Sequence, residues 1–237
     1  MKMDLKEKIN IVKEILFKMY PENRTELKYE NPYQLLVAVM MSAQTTDKQV
    51  NKANEKFFKV LKKPEDAIKL WVEWIKKYIK SIWFYNNKAK NIYKTSKILL
   101  EKYNWEIPKT LEELTALPWV GIKTAKVVLA VLYDAPYLPV DTHVHRVLNR
   151  LGIVKTKTPL ETDKVAAKVL DKDATGKLHH SLIFFWRYHC TARNPKCNEC
   201  PLQKVCEYYS LRSEESPKRS EEIVWGQKSI RRGQKRI

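Results

Sequence analysis

Apolar residues recur three and four positions apart along most of the chain, which is the period of a helix buried on one face. The first stripe is Ile9, Val12, Ile15, Leu16 and Met19, and Pro21 stops it. Asn31-Pro32 then reads as a cap with a first-turn proline for a helix carrying Leu35, Leu36, Val39 and Met40. The same periodicity predicts helices over about 47–61, 65–79, 86–103, 110–117, 122–133, 142–151, 159–171 and 178–189. No long alternating run asks for a sheet, so the expected fold class is all-α. From about Ser210 the apolar residues thin out, and Lys228, Arg231, Arg232, Lys235 and Arg236 mark a basic tail. That tail is expected to be disordered, an auxiliary arm for phosphate.

Composition narrows the class. With 44% hydrophobic and 30% charged residues, the 237-residue chain can bury a real core, which excludes wholesale disorder. Two lobes are expected. Leu35 to Ala43, the longest apolar stretch, is too short to span a bilayer, and the first residues lack the apolar core of a signal peptide. A cytoplasmic protein without a membrane partner follows. The net charge of +18 fits a polyanion, because Lys and Arg that neutralise phosphates release counterions. A lysine-biased genome would account for the same excess.

All four cysteines fall within 17 positions, as Cys190, Cys197, Cys200 and Cys206. Thiols stay reduced in the cytoplasm, so this bunching favours a thiolate-bound metal over disulfides. Zinc sites usually show two short knuckles, and only Cys197 and Cys200 form one, so the spacing leans towards a [4Fe–4S] cluster. With all four ligands cysteine, such a cluster has no open position, and its default role is architectural. It would rigidify the loop carrying Arg193 and Lys196 and present both cations to a phosphate backbone.

The segment Leu117-Pro-Trp-Val-Gly-Ile-Lys-Thr-Ala125 lies between two amphipathic stretches and reads as helix, tight turn, helix. Its backbone N–H groups at a helix start would favour phosphate without reading sequence. Lys123 falls in the first turn of the second helix, beside that positive end and near Lys126. Both neighbours depress an amine pKa, as an imine-forming nucleophile requires. Asp141 precedes a further helix, where N-cap duty is the ordinary alternative.

Taken together, Ser42-Ala-Gln-Thr-Thr-Asp47, the Leu-Pro-x-Val-Gly-x-Lys-Thr-Ala hairpin, Val140-Asp-Thr-His143 and the four-cysteine pattern resemble the endonuclease III family of helix-hairpin-helix DNA glycosylases. The likeness runs from about residue 4 to 210, with the motifs in the family's order. It implies a six-helix barrel over 24–135, an iron–sulfur cluster domain over 1–23 and 136–210, the tail over 211–237, and a cleft between the two lobes. The implied activity is that of a bifunctional glycosylase and abasic-site lyase of base excision repair, flipping oxidised pyrimidines out of double-stranded DNA. The partner would be DNA with damaged bases or abasic sites, met by a monomer associated with the bacterial nucleoid.

On the matching positions Lys123 would attack the sugar C1′ and form a Schiff base, with Asp141 activating it or stabilising cationic sugar character. Gln44 would fill the gap left by the flipped base, and Ile82 and Phe84 would form the wedge beside it. Pro118, Val120 and Gly121 of the hairpin would meet the phosphates, as would Arg193 and Lys196, and His143 would contact DNA near the lesion. His179 and His180 read as structural. A mismatch-specific relative and a catalytically impaired DNA-binding module are the alternatives.

One departure repeats. Trp71, Trp74, Trp83, Trp105, Trp119 and Trp186 each fall where the family typically has glycine. The chain holds 7 Trp and only 5 Gly, against roughly 17 Gly at average usage. We read these tryptophans as glycine codons translated with the wrong table, since some bacterial lineages read UGA as glycine and others as tryptophan. The competing reading keeps Trp83 and Trp119 as real aromatics that stack on exposed bases.

Overall fold

The computed structural model describes residues 3–21, 24–170 and 175–213, and no strand occurs among them. The helices are α1 (Leu5–Met19), α2 (Pro32–Ser42), α3 (Asp47–Val60), α4 (Pro64–Tyr78), α5 (Tyr85–Tyr103), α6 (Leu111–Thr115), α7 (Ile122–Tyr133), α8 (Thr142–Leu151), α9 (Pro159–Val169) and α10 (Thr175–Tyr188). Short 3₁₀ turns follow at Cys197–Glu199 and Gln203–Val205. A last helical run covers 207–213, so the first residues of the expected tail continue a helix and the rest lies outside the described residues. No described helix is long and apolar enough to cross a membrane.

Two compact units result. One takes Glu22–Asp141 and Leu170–His180, and the other takes Met1–Pro21, Thr142–Val169 and Ser181–Ile237, each through its described residues. The first holds α2 to α7, so six helices share one core. Residues 136–141 and the described residues of Leu170–His180, placed with the cluster domain on sequence, fall in this helical unit.

Apolar burial builds that core around α2, where every residue from Tyr33 to Met41 is buried and the helix packs on α3, α5 and α7. The start of α2 follows the cap chemistry: the Asn31 side chain accepts the Gln34 N–H at 2.9 Å, and Pro32 needs no donor there. Gln34 is buried but satisfied. Its amide donates to the Leu61 and Phe58 carbonyls at 2.9 and 3.2 Å, and its oxygen accepts the Glu30 N–H at 2.8 Å. In the second unit Ile9, Val12 and Leu16 of α1 are buried, as are Val144, Val147, Leu148 and Leu151 of α8 and Leu182 and Phe185 of α10.

The departures from periodicity are local. The helix expected over 65–79 is broken at Trp71, whose φ of 57° and ψ of 162° lie in a region open essentially to glycine. Trp105 (φ 75°) follows the end of α5, where its N–H reaches back to the Leu99 carbonyl at 3.1 Å. Trp119 (φ 66°) sits in the turn between α6 and α7. Three of the six tryptophans matched to glycines therefore hold a backbone that suits glycine, and Trp225 lies outside the described residues.

Candidate active site and cysteine centre

The hairpin begins where α6 ends. The Val120 N–H closes on the Leu117 carbonyl at 3.1 Å, with Pro118 second and Trp119 third, and a turn of this pattern wants glycine third. The Thr95 hydroxyl donates to the Pro118 carbonyl at 3.3 Å and ties the turn to α5. Gly121 then caps α7 with no side-chain acceptor, which leaves first-turn N–H groups of α7 open to an anion. Val120 is buried, while Pro118 is half-buried and Gly121 exposed.

Lys123 stands in that first turn. Its Nζ lies 3.4 Å from Asp141 Oδ2, with the lysine side chain 50% and the aspartate 18% exposed. Asp141 ends the irregular segment before α8, so one end of a helix and the approach to another bring the two together. Lys126 is buried, with Nζ 5.6 Å from the centre of the Tyr137 ring.

His179 lies close enough to Lys123 and Asp141 to feel both charges. Burial, then His180 and Lys123, push its pKa down to about 3, against a hydrogen bond to the Pro139 backbone. Burial likewise pushes His180 down to about 4. Both rings are neutral at physiological pH, and the contact with the Pro139–Asp141 segment is a role the adjacent-histidine pattern did not reveal.

Gln44 is exposed in the loop after α2, with φ 56°. Ile82 is only 2% exposed and belongs to the core, whereas Phe84 is 48% exposed, with φ 57°. The Trp83 ring meets Phe84 edge-on at 5.8 Å. Lys88 was not anticipated: it is fully buried, and its Nζ donates to the Met41 and Ala43 carbonyls, both at 2.7 Å, and to Thr45 Oγ1 at 3.1 Å. Burial lowers its pKa to about 8.

In the other unit His143 stacks on Trp186 with ring centres 3.4 Å apart, closer than aromatic pairs prefer, and Trp186 Nε1 is buried without a hydrogen-bond partner. The indole is crowded there.

Cys190, Cys197, Cys200 and Cys206 line one cavity with Arg150, Leu151, Phe185 and Tyr208 among its walls. Among the described residues no set of three or more His, Cys, Asp or Glu is placed to hold one metal ion, and a multi-iron cluster asks its ligands to stand further apart. Burial pushes the Cys200 thiol up to about 11 and raises that of Cys206, so bare thiolates are disfavoured there. Iron charge reverses that preference, and the set fits a [4Fe–4S] cluster.

Arg150 braces the cavity. It donates to the Thr191 and Ala192 carbonyls at 2.8 and 3.0 Å and to Cys190 Sγ at 3.4 Å, and its guanidinium lies 4.6 Å from the Tyr208 ring centre. Arg193 and Lys196 are exposed on the same loop. A bound cluster supplies rigidity to that loop. Cys200→Ser is expected to lose the brown iron–sulfur colour and to weaken duplex binding about tenfold, since the loop carrying the exposed Arg193 and Lys196 would no longer be held in one conformation. Titration of a labelled duplex checks this, and unchanged affinity in the colourless variant would separate the cluster from DNA contact.

The comparisons with known proteins point to one family. The model of the HhH-GPD superfamily base excision DNA repair protein matches residues 37–172, and that of the iron–sulfur binding domain of endonuclease III matches 190–206. Endonuclease III of Bacillus subtilis (strain 168) is 47% identical over 189 residues, 79% of this chain and 86% of that protein. A non-covalent endonuclease III–DNA complex superposes with a TM-score of 0.83 at 41% identity, covering 90% of this chain and all of that one. A trapped endonuclease III–DNA covalent intermediate gives 0.82 at 42% identity, covering 89% and 100%. With its hairpin, its Lys123–Asp141 pair and its four cysteines in place, the chain belongs to the endonuclease III family, the [4Fe–4S] DNA glycosylases and abasic-site lyases of base excision repair.

Proposed function

We propose that the chain removes oxidised pyrimidines from double-stranded DNA, with Lys123 as nucleophile. The observation that carries this reading is the half-exposed Lys123 amine, 3.4 Å from the Asp141 carboxylate at the open start of α7. The helix start faces a phosphate, and the damaged nucleotide turns out of the stack towards the amine.

Asp141 takes a proton from the Lys123 ammonium, the freed lone pair bonds to C1′, and the base leaves with the electrons of its glycosidic bond and takes up a proton from water, while the new C1′–nitrogen loses one to solvent. The nitrogen lone pair then forms the iminium between Nζ and C1′ as the C1′–O4′ bond breaks, and O4′ keeps that electron pair and takes up a proton. Loss of a proton from C2′ then expels the 3′ phosphate with the C3′–O electron pair, and water releases the lysine.

Gln44 enters the space vacated in the duplex and Phe84 wedges beside it, with Ile82 buried below. Pro118, Val120 and Gly121 carry the hairpin against the backbone, and Arg193, Lys196 and His143 add contacts, all within a monomer. Incubation with duplexes holding thymine glycol or a G·T mismatch tests the reading. Release of thymine glycol with nicking, at least about tenfold faster than release from the mismatch, is expected. Release from the mismatch alone, without a nick, would assign the chain to mismatch repair instead.

A further inference from the structure

A lysine is almost never fully buried without a partner, yet Lys88 of α5 has 0% exposure. Its three Nζ donors meet the Met41 carbonyl, the Ala43 carbonyl and the Thr45 hydroxyl, all at or just beyond the end of α2. A cation there complements the negative end of the α2 dipole and satisfies carbonyls that the helix leaves open. The other end of the residue is also engaged: the Lys88 N–H donates to the Phe84 carbonyl at 3.0 Å.

Both loops so held are strained. Gln44 lies between two of the Nζ acceptors with φ 56°, and Phe84, the acceptor of the main-chain bond, has φ 57°. Neither is glycine, and such backbones persist only where the surroundings over-determine them. The Lys88 ammonium thus bonds on either side of Gln44, while its main chain makes the first helical bond of α5, to the Phe84 cap, so the side chain anchors the Gln44 loop to the helix that starts at Phe84. An apolar side chain would fill the same volume without burying a charge, so packing alone does not account for a lysine.

We propose that Lys88 is a positioning residue that sets the placement of Gln44 relative to Phe84, the spacing that must match the gap beside a flipped nucleotide. The inference rests on the assignment of Gln44 and Phe84 above.

A double-mutant cycle on the full chain with its cluster tests it. The probe is a duplex containing a tetrahydrofuran abasic analogue, with an undamaged duplex beside it. Lys88→Met is expected to weaken binding to the analogue about tenfold, and more than it weakens undamaged binding, since misplacement by about 1 Å carries costs of that order or larger. With Gln44→Ala already present, the same change is expected to cost under about twofold, because the group it positions is gone.

A merely structural lysine gives equal losses in both backgrounds and on both duplexes, and that result overturns the proposal while leaving Gln44 its role. No effect of Gln44→Ala alone overturns the assignment of Gln44, and the proposal with it. Thermal unfolding and the iron–sulfur colour report folding. Should Lys88→Met not fold, Thr45→Val removes one acceptor, and its expected loss of about threefold runs through the same cycle.

Discussion

Replacing Lys123 with glutamine is expected to eliminate the borohydride-trapped adduct with an abasic duplex and to slow strand cleavage at least about a thousandfold. Glutamine keeps much of the side-chain length and can still hydrogen-bond Asp141, but its amide nitrogen has no lone pair to give C1′. Binding is expected to change far less, within about threefold, because under the proposed function the hairpin N–H groups and the remaining cations would carry that term. Asp141→Asn is expected to retain the adduct but form it about a hundredfold more slowly, since the amine would lose the carboxylate 3.4 Å away that is proposed to take its proton. Denaturing gels after borohydride read both variants. An adduct of wild-type yield in Lys123→Gln would move the nucleophile to another residue.

How far the sequence reached is decided by which interactions are local. Helix positions were legible because α1 and α7 carry the apolar period and α2 a familiar cap, Asn31 accepting the Gln34 N–H. The break in α4 was not visible as periodicity, since a single positive φ at Trp71 leaves the spacing of buried residues intact. Lys123, Asp141 and the cysteines were legible as motifs. Lys88 was not, because nothing in the pattern distinguishes a buried lysine from the solvated ones around it. Its partners lie more than 40 positions away, at Met41, Ala43 and Thr45. The bracing of the cysteine loop by Arg150, from 40 to 42 positions off, escaped for the same reason.

Substituting glycine for Trp71, Trp105 and Trp119 together is expected to stabilise the protein by about 3 kcal/mol and to raise the unfolding midpoint by about 6–12 °C. Each position holds a positive φ, which costs a bulky residue about 1–3 kcal/mol. Against that stand the backbone freedom of glycine in the unfolded chain, about 0.5–1 kcal/mol per site, and the lost ring contacts. Those contacts are weak: Trp71 meets Tyr93 at 6.1 Å and Trp105 meets Lys63 Nζ at 5.0 Å. Alanine at the same three positions keeps a Cβ and therefore most of the strain, so it is expected to recover much less. Trp74, inside α4 without a positive φ, is the control, and glycine there is expected to cost about 1 kcal/mol.

Trp119→Gly alone is expected to tighten abasic-duplex binding about tenfold, because the indole occupies the turn that must approach phosphate. Unchanged midpoints and unchanged binding would leave the tryptophans as native residues. The coding sequence decides between mutation and translation. UGG at the seven positions ends the recoding reading whatever the midpoints do. UGA at all seven, with the glycine chain more stable, makes the backbone at 71, 105 and 119 the imprint of the residues the organism inserts.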